Sequence, residues 1–256
     1  MAKTGTDDKS ELKTATIDAT GVYYRQLNER VRELIAKGYR EIIIDGVNGQ
    51  RYIGDGLIDK VKIVINGVPG NDLGAFMDGP TVFVNDNAQD GVGNTMNSGK
   101  IVVSGHAGDV LGYGMRGGKV FVAGNIGYRV GIHMKSFKEQ VPTIVAGGRA
   151  GDFFGEYMAG GVLVLLGMDD DGPLVGSYVG TGMHGGTIYL RGEVSEHQLG
   201  SEVRIYPVEE DDRCMLEELL AEFAADTGAD ISGVRIEDFV KLMPFSHRPY
   251  GKMYCY

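Results

Sequence analysis

The sequence predicts a mainly β fold, a right-handed parallel β-helix of about seven coils with flanking helices. Three observations carry this reading. Glycine stands at positions 74, 93, 112, 131, 155 and 180, and methionine follows three residues later at 77, 96, 115, 134, 158 and 183. The methionine spacings are 19, 19, 19, 24 and 25 residues, and the two longer ones hold insertions near Phe137-Lys138-Glu139-Gln140 and Asp169-Asp170-Asp171-Gly172. Self-similarity at so short a period marks a solenoid. Each copy also opens on a β-rich triplet: Ile63-Val64-Ile65, Val82-Phe83-Val84, Ile101-Val102-Val103, Val120-Phe121-Val122, Thr143-Ile144-Val145, Val162-Leu163-Val164 and Ile188-Tyr189-Leu190. Branched and aromatic side chains suit a pleated strand, and the first and third residue of each triplet would face a common core.

The elements follow in order. Residues 1–40 form an N-terminal segment with a helix over 22–37, whose Leu27, Val31, Leu34 and Ile35 share one face and whose end is marked by Gly38. Residues 41–206 form the coils, with Ile42 to Val61 as a degenerate first copy. Stacked about 4.8 Å apart, seven coils would make a rod of roughly 30–35 Å. In each coil glycine supplies the positive φ a sharp turn needs, and methionine stacks into an internal ladder that fills uneven space. Residues 207–256 hold a helix from Arg213 to Ala225, with Met215, Leu216, Leu219, Leu220 and Phe223 at helical spacing and Asp211 or Asp212 as its cap. A short third helix, about Ile236 to Met243, stops at Pro244. An aromatic tail follows with Phe245, Tyr250, Tyr254 and Tyr256; it either docks a partner or folds back on the chain. Helices at both flanks are expected to cap the ends of the β-helix, where strand edges lie open.

Composition removes several classes. With 41 glycines but only 7 prolines among 256 residues, and no three-residue period, the chain is not collagen-like. A hydrophobic content of 43% in ordered runs opposes disorder. A formal net charge of −10 without a basic block argues against nucleic acid and anionic membrane as partners. Cys214 and Cys255 fit reduced thiols better than a disulfide framework or a zinc site. The polar start, Met1 to Glu11, has no signal-peptide core, and no apolar run nears the ~18 residues of a membrane helix. A cytoplasmic protein is expected.

The glycine pattern, Gly-x-x-Gly-x-x-x-Gly-x-x-x-x-Gly-Gly with variations, resembles the GXGXG domain, the C-terminal β-helix of the glutamate synthase large subunit. Gly70-Asn-Asp-Leu-Gly-Ala-Phe76 is similar to its opening signature, and Glu156-Tyr-Met-Ala-Gly-Gly-Val162 to a later coil. The resemblance spans about residues 20–195. Related β-helices occur as stand-alone glutamate synthase domain-three proteins, in N-methylglutamate synthase and in formylmethanofuran dehydrogenase. It implies a non-catalytic spacer between a glutamine amidotransferase subunit and an FMN/iron–sulfur synthase subunit, in an oxidoreductase complex of nitrogen metabolism and glutamate biosynthesis. The equivalent subunit of another complex, or an independent β-helix enzyme with a groove site, is the alternative. Self-association into a homo-oligomer stays open.

Residues with chemical potential have structural explanations. Gly112-Tyr-Gly-Met-Arg-Gly117 and Gly180-Thr-Gly-Met-His-Gly185 match a dinucleotide fingerprint, but no helix pattern follows either, so they read as turns of the repeat. His106, His133, His184, His197 and His247 lack metal spacing and read as surface or turn histidines. Asp169-Asp170-Asp171 and the Asn85–Asp90 stretch read as solvated loops rather than cation sites. Glu209-Glu-Asp-Asp212 supplies negative charge at a helix start. No catalytic, cofactor-binding or metal-binding residue is assigned, no cofactor is expected, and the chain alone is expected to have no activity.

Overall fold

The computed structural model describes residues 13–168 and 172–246. One eleven-stranded sheet runs the length of the molecule. Its strands in chain order are β1 (Thr14–Asp18), β2 (Glu41–Asn48), β3 (Lys62–Val68), β4 (Asp78–Val84), β5 (Ser98–Val103), β6 (Lys119–Val122), β7 (Thr143–Ala146), β8 (Ala159–Leu165), β9 (Gly185–Arg191), β10 (Val203–Tyr206) and β11 (Phe239–Pro244). Neighbours pair in parallel from β1 to β9, and β11 and β10 then add antiparallel, giving the spatial order β1-β2-β3-β4-β5-β6-β7-β8-β9-β11-β10. The result is a β-solenoid of about six turns, one fewer than expected. The six Gly–Met pairs account for these turns. The Ile42–Val61 copy has Gly54 but Leu57 in the methionine position, and it leans on a helix instead of closing on an earlier coil.

That helix, α1 (Tyr24–Ala36), buries Leu27, Val31 and Ile35 in the same core as Ile42, Ile44, Ile63 and Ile65. Asn28 donates to the Arg51 carbonyl at 2.9 Å, and Arg32 donates to the Asp55 carbonyl. α1 thus packs into the first coil beside β1 and β2, the terminal strands of the sheet on this side.

Stacking follows the repeat. Ile63, Val82, Ile101, Val120, Ile144, Leu163 and Ile188 form one inward ladder, and Ile65, Val84, Val103, Val122, Ala146, Leu165 and Leu190 another. In two coils the inward face lies one residue later than the triplets suggested. Val120 pairs with Ile144 and Thr143 with Val162, so Ile144, Ala146, Leu163 and Leu165 face the core, and Val145 and Val164 face outward. Thr143 and Val162 are β-branched and fit a strand, but the coil-to-coil register fixes which face each takes. The six methionines are fully buried, forming the internal ladder the spacing predicted.

The six glycines sit on the corner opposite these strands, all in the left-handed region with φ between 65° and 73°. Space is as binding as φ. A Cβ on Gly155 would stand 2.7 Å from Ile188 Cδ1, and one on Gly112 would collide with Ile144 Cδ1. Each corner is hollowed to admit an inward side chain from the strand that opens the second copy further along, as Gly74 admits Ile101.

The second helix, α2 (Glu210–Thr227), does not cap an end. It lies along the outer face of the sheet, where Leu216, Leu219, Leu220 and Phe223 cover Val102, Phe121, Val145, Val164 and Tyr189. Phe121 and Phe223 meet edge to face at 5.8 Å. An outward apolar residue in each strand demands such a cover, and triplets apolar at all three positions signal burial on both faces. Glu209 occupies the N-cap, displacing Asp211 and Asp212 from the expected role; Asp212 instead reaches back to accept the Glu209 N–H at 2.8 Å. The expected third helix is replaced by a short 3-10 turn, Ile236–Asp238, and strand β11. Pairing with β9 and β10 satisfies the β11 backbone on both sides, outweighing its local helical spacing. The C-terminal end of the solenoid is therefore finished by strands.

Gly112→Val and Gly155→Val should each cost about 3 kcal/mol or more, because left-handed strain and overpacking add. His133→Ala, at an exposed position, should cost less than about 1 kcal/mol. Thermal melts of the three variants check the order, and the reverse order would mean the corner is assigned to the wrong phase.

Candidate functional site

The corners gather the unusual backbone. Two residues before and after the corner glycines, non-glycine residues also adopt positive φ, from 52° to 64°: Tyr52, Asp72, Val110, Arg129, Phe153 and Tyr178 before, Phe76, Thr95, His133 and Tyr157 after. Such positions cost of order 1–3 kcal/mol each and persist only where the surroundings dictate them. Here the neighbouring coil does so: the N–H groups of Thr95, Val110 and His133 donate to the carbonyls of Tyr113, Tyr128 and Glu156 at 2.7, 2.8 and 3.1 Å. Their side chains project outward and stack. His133 lies parallel to Tyr157 at 5.3 Å and edge-on to Tyr113 at 5.8 Å, Phe153 stacks on Tyr178 at 4.9 Å, and the Arg129 guanidinium covers Phe153 at 4.3 Å. Arg129 also pairs with the buried Glu156.

Polar side chains at the other turns are spent on adjacent coils. Asn66 donates to Asp45 at 2.6 Å and Asn85 to Asn66 at 2.7 Å. Asn87 accepts the His106 N–H at 2.7 Å, His106 Nδ1 accepts the Asn125 N–H at 2.8 Å, and Asn125 accepts the Arg149 N–H at 2.8 Å. Asp90 accepts from Asp109, and Asp109 from Tyr128, each at 2.9 Å. The Asn85–Asp90 stretch is exposed apart from the buried Ala88, and its Asn85, Asn87 and Asp90 side chains are rungs of these stacks, Asn87 and Asp90 satisfying backbone N–H groups that turn away from strand pairing.

The other singled-out residues stand apart from one another. Both Gly-x-G-x-x-G matches are solenoid corners, at Gly112 and Gly180. His133 and His197 are exposed, and His184 is half-buried. Cys214 is an exposed free thiol. Asp169–Asp171, His247, Cys255 and residues 247–256 of the tail lie outside the described residues. Phe245 is described: it is 55% exposed, its N–H donates to the Glu202 carbonyl at 3.0 Å, and the Arg204 guanidinium covers its ring at 4.7 Å. Among the described residues no three His, Cys, Asp or Glu side chains converge as a metal site, and no helix is long and apolar enough to cross a membrane.

Two charge clusters anchor α2, and sequence reasoning missed both. Lys100 and Lys119 pair in register on β5 and β6; Lys100 reaches Glu222 at 2.6 Å and Asp226 at 2.5 Å, and Lys119 also reaches Glu222. At the other end of α2, Asp212 accepts from the Tyr189 hydroxyl at 2.5 Å and from Lys241 at 2.7 Å. Burial opposes the charge on Asp212. The bonds from Lys241, Tyr189 and the Glu209 N–H outweigh it and hold the carboxyl below its ordinary pKa. Burial first, and the Asp212 bond second, push the Tyr189 phenol up. The available signal was the 19-residue offset of Lys100 and Lys119, which places like charges side by side and calls for an acid between them.

Two surface hollows complete the geometry. One of about 540 Å³ lies beside β10, lined by Glu196, Ser201, Arg204 and Ile205 among others. Another, of about 480 Å³, is lined by Asp78, Asn97, Arg116, Lys135, Phe137 and Gln140.

A parallel β-solenoid with glycine corners, polar turn stacks and a helix strapped to its sheet is the class these features define. The chain belongs to the GXGXG motif family, whose pattern matches residues 23–245. It is 46% identical over 253 residues to a protein of Methanocaldococcus jannaschii described as uncharacterized protein MJ1350, covering 95% of this chain and 97% of that one. Among solved structures it is similar to a chain of the formyltransferase/hydrolase complex FhcABCD of Methylorubrum extorquens, solved with methylofuran, with a TM-score of 0.61 and 20% identity over 84% of this chain and 90% of the other. At that identity the likeness shows the fold.

The depressed Asp212 carboxyl makes a pH prediction. It stabilises the fold above its unfolded pKa of about 4, and this contribution is lost as pH falls through the lower folded value. Thermal melts should show Asp212→Asn less stable than the parent at neutral pH and the gap closing below about pH 4.

Proposed function

We propose that this chain is a non-catalytic scaffold subunit of a multi-subunit enzyme. The observation that carries the reading is the rod itself: a stack of rigidly registered coils whose strained corners hold exposed rings outward while the Asn, Asp and His rungs of the turns are spent within the stack. Such an object fixes distances between other proteins, and fixed spacing between active sites is what transfer of a reactive intermediate requires. The finer reading is a glutamate synthase-like complex, in which a glutamine amidotransferase subunit releases the amide nitrogen and an FMN/iron–sulfur synthase subunit adds it to 2-oxoglutarate. Membership of the GXGXG family supports it. A second reading, the equivalent subunit of a formyl-transferring complex, draws support from the solved structure of that class. We infer a division into residues 1–40 with the helix α1, 41–206 with the coils and 207–256 with the helix α2, although strands β1 and β11 join the sheet from outside the middle span.

Affinity isolation of the tagged chain from its native cell should bring down partner subunits. An amidotransferase and a flavoprotein support the first reading, and formyltransferase and hydrolase subunits the second. A chain that emerges alone, or that carries stoichiometric flavin when purified by itself, contradicts the scaffold reading.

A further inference from the structure

The chain shows how it binds a helix, and it repeats half of that arrangement elsewhere. Lys100 and Lys119 stack on adjacent coils, and Glu222 of α2 bridges them. Arg116 and Lys135 stand in the same relation on the next face of the solenoid: each follows its corner methionine, Met115 or Met134, and the Lys135 N–H donates to the Met115 carbonyl at 3.0 Å. Adjacent coils lie about 4.8 Å apart, so two cations at one phase repel unless an anion lies between them. Both side chains are exposed, and neither has a carboxylate partner among the described residues.

They line the hollow of about 480 Å³. Its outer wall is the insertion at Phe137–Gln140, closed on itself by reciprocal backbone bonds of 3.0 Å between Phe137 and Gln140. Phe137 is 55% exposed and Lys138 lies over its ring at 5.2 Å. On the inner side Asp78 accepts from the neutral Ser98 hydroxyl at 2.6 Å and makes no ion pair with either cation. The hollow thus gathers two cations against one carboxylate, beside the Phe137 ring, on a chain whose net charge is −10.

We propose that this groove docks an acidic segment of a partner subunit, with a carboxylate bridging Arg116 and Lys135 as Glu222 bridges Lys100 and Lys119. The proposal rests on the scaffold reading above and names the surface through which it acts. Charge complementarity selects the occupant: a second copy of this chain brings the same excess of negative charge against the rest of the surface.

The test uses the complex isolated through the tagged chain. A carbodiimide condenses an amine with a touching carboxylate into an amide with loss of water, so Lys135 should appear in an amide crosslink to an aspartate or glutamate of another polypeptide. Arg116→Glu with Lys135→Glu should weaken that subunit's association at least about tenfold with an unchanged melting temperature. Arg116→Lys with Lys135→Arg should keep it. A crosslink from Lys135 to a second copy of this chain overturns the proposal. A charge reversal that leaves every subunit bound does the same while sparing the scaffold reading. A wild-type chain that isolates alone at low salt rejects both.

Discussion

The contact between a corner glycine and the strand of a later coil is what the remaining architecture depends on. Gly74 faces Ile101, Gly93 Val120, Gly112 Ile144, Gly131 Leu163, Gly155 Ile188 and Gly180 Val203. In each case the missing Cβ lets an aliphatic tip cross the interior, and at Gly74, Gly93, Gly112 and Gly180 the methionine three residues on packs beside it. The rod can be thin because its two walls interdigitate. Cores at native density leave no room for an extra methylene, so the repeat is held to glycine by packing as well as by φ.

That constraint sets the character of the corners. With the glycine locked, the coil must pass through left-handed conformations two residues to either side, and the coil-to-coil hydrogen bonds hold even Val110 and Phe153 there. At the same phases other coils use Gly91, Gly114 and Gly182, which take the conformation without strain. The aromatic residues that replace them gain nothing locally from φ. What they add is an outward ring, stacked on its neighbour, on a surface that a partner could grip.

The period made the solenoid legible, because glycine and methionine recur at one phase and each has a steric reason to do so. Three features were less legible. The inward face of β7 and β8 was misplaced by one residue, since Thr143 and Val162 satisfy strand propensity on either face. β11 resembled a helix because Phe239 and Leu242 are three apart, and only pairing with β9 and β10 decided it. The position of α2 was hidden although its signal was present: Val102, Phe121, Val145, Val164 and Tyr189 are apolar at strand centres whose outer faces would otherwise meet water. The Arg116–Lys135 pair escaped for a related reason, because neither residue has significance until the 19-residue register sets them side by side.

The path of α2 has a consequence for the size of the molecule. It begins beside Tyr189 on β9, through Asp212, and ends beside Lys100 on β5, through Asp226. Four strand spacings are roughly 19 Å, and the rise from Asp212 to Asp226 along a helix is about 21 Å. The helix is thus a ruler laid across the coils. Adding or removing one coil between β5 and β9 would shift one end by about 4.8 Å, close to a full helical turn, and either the Asp212 or the Glu222 anchor would lose its lysine. Most solenoids can lengthen by duplicating a unit, since each repeat touches only its neighbours. Here the stretch from β5 to β9 is gauged from outside, so the number of coils between those two strands is a single permitted value rather than one of a series.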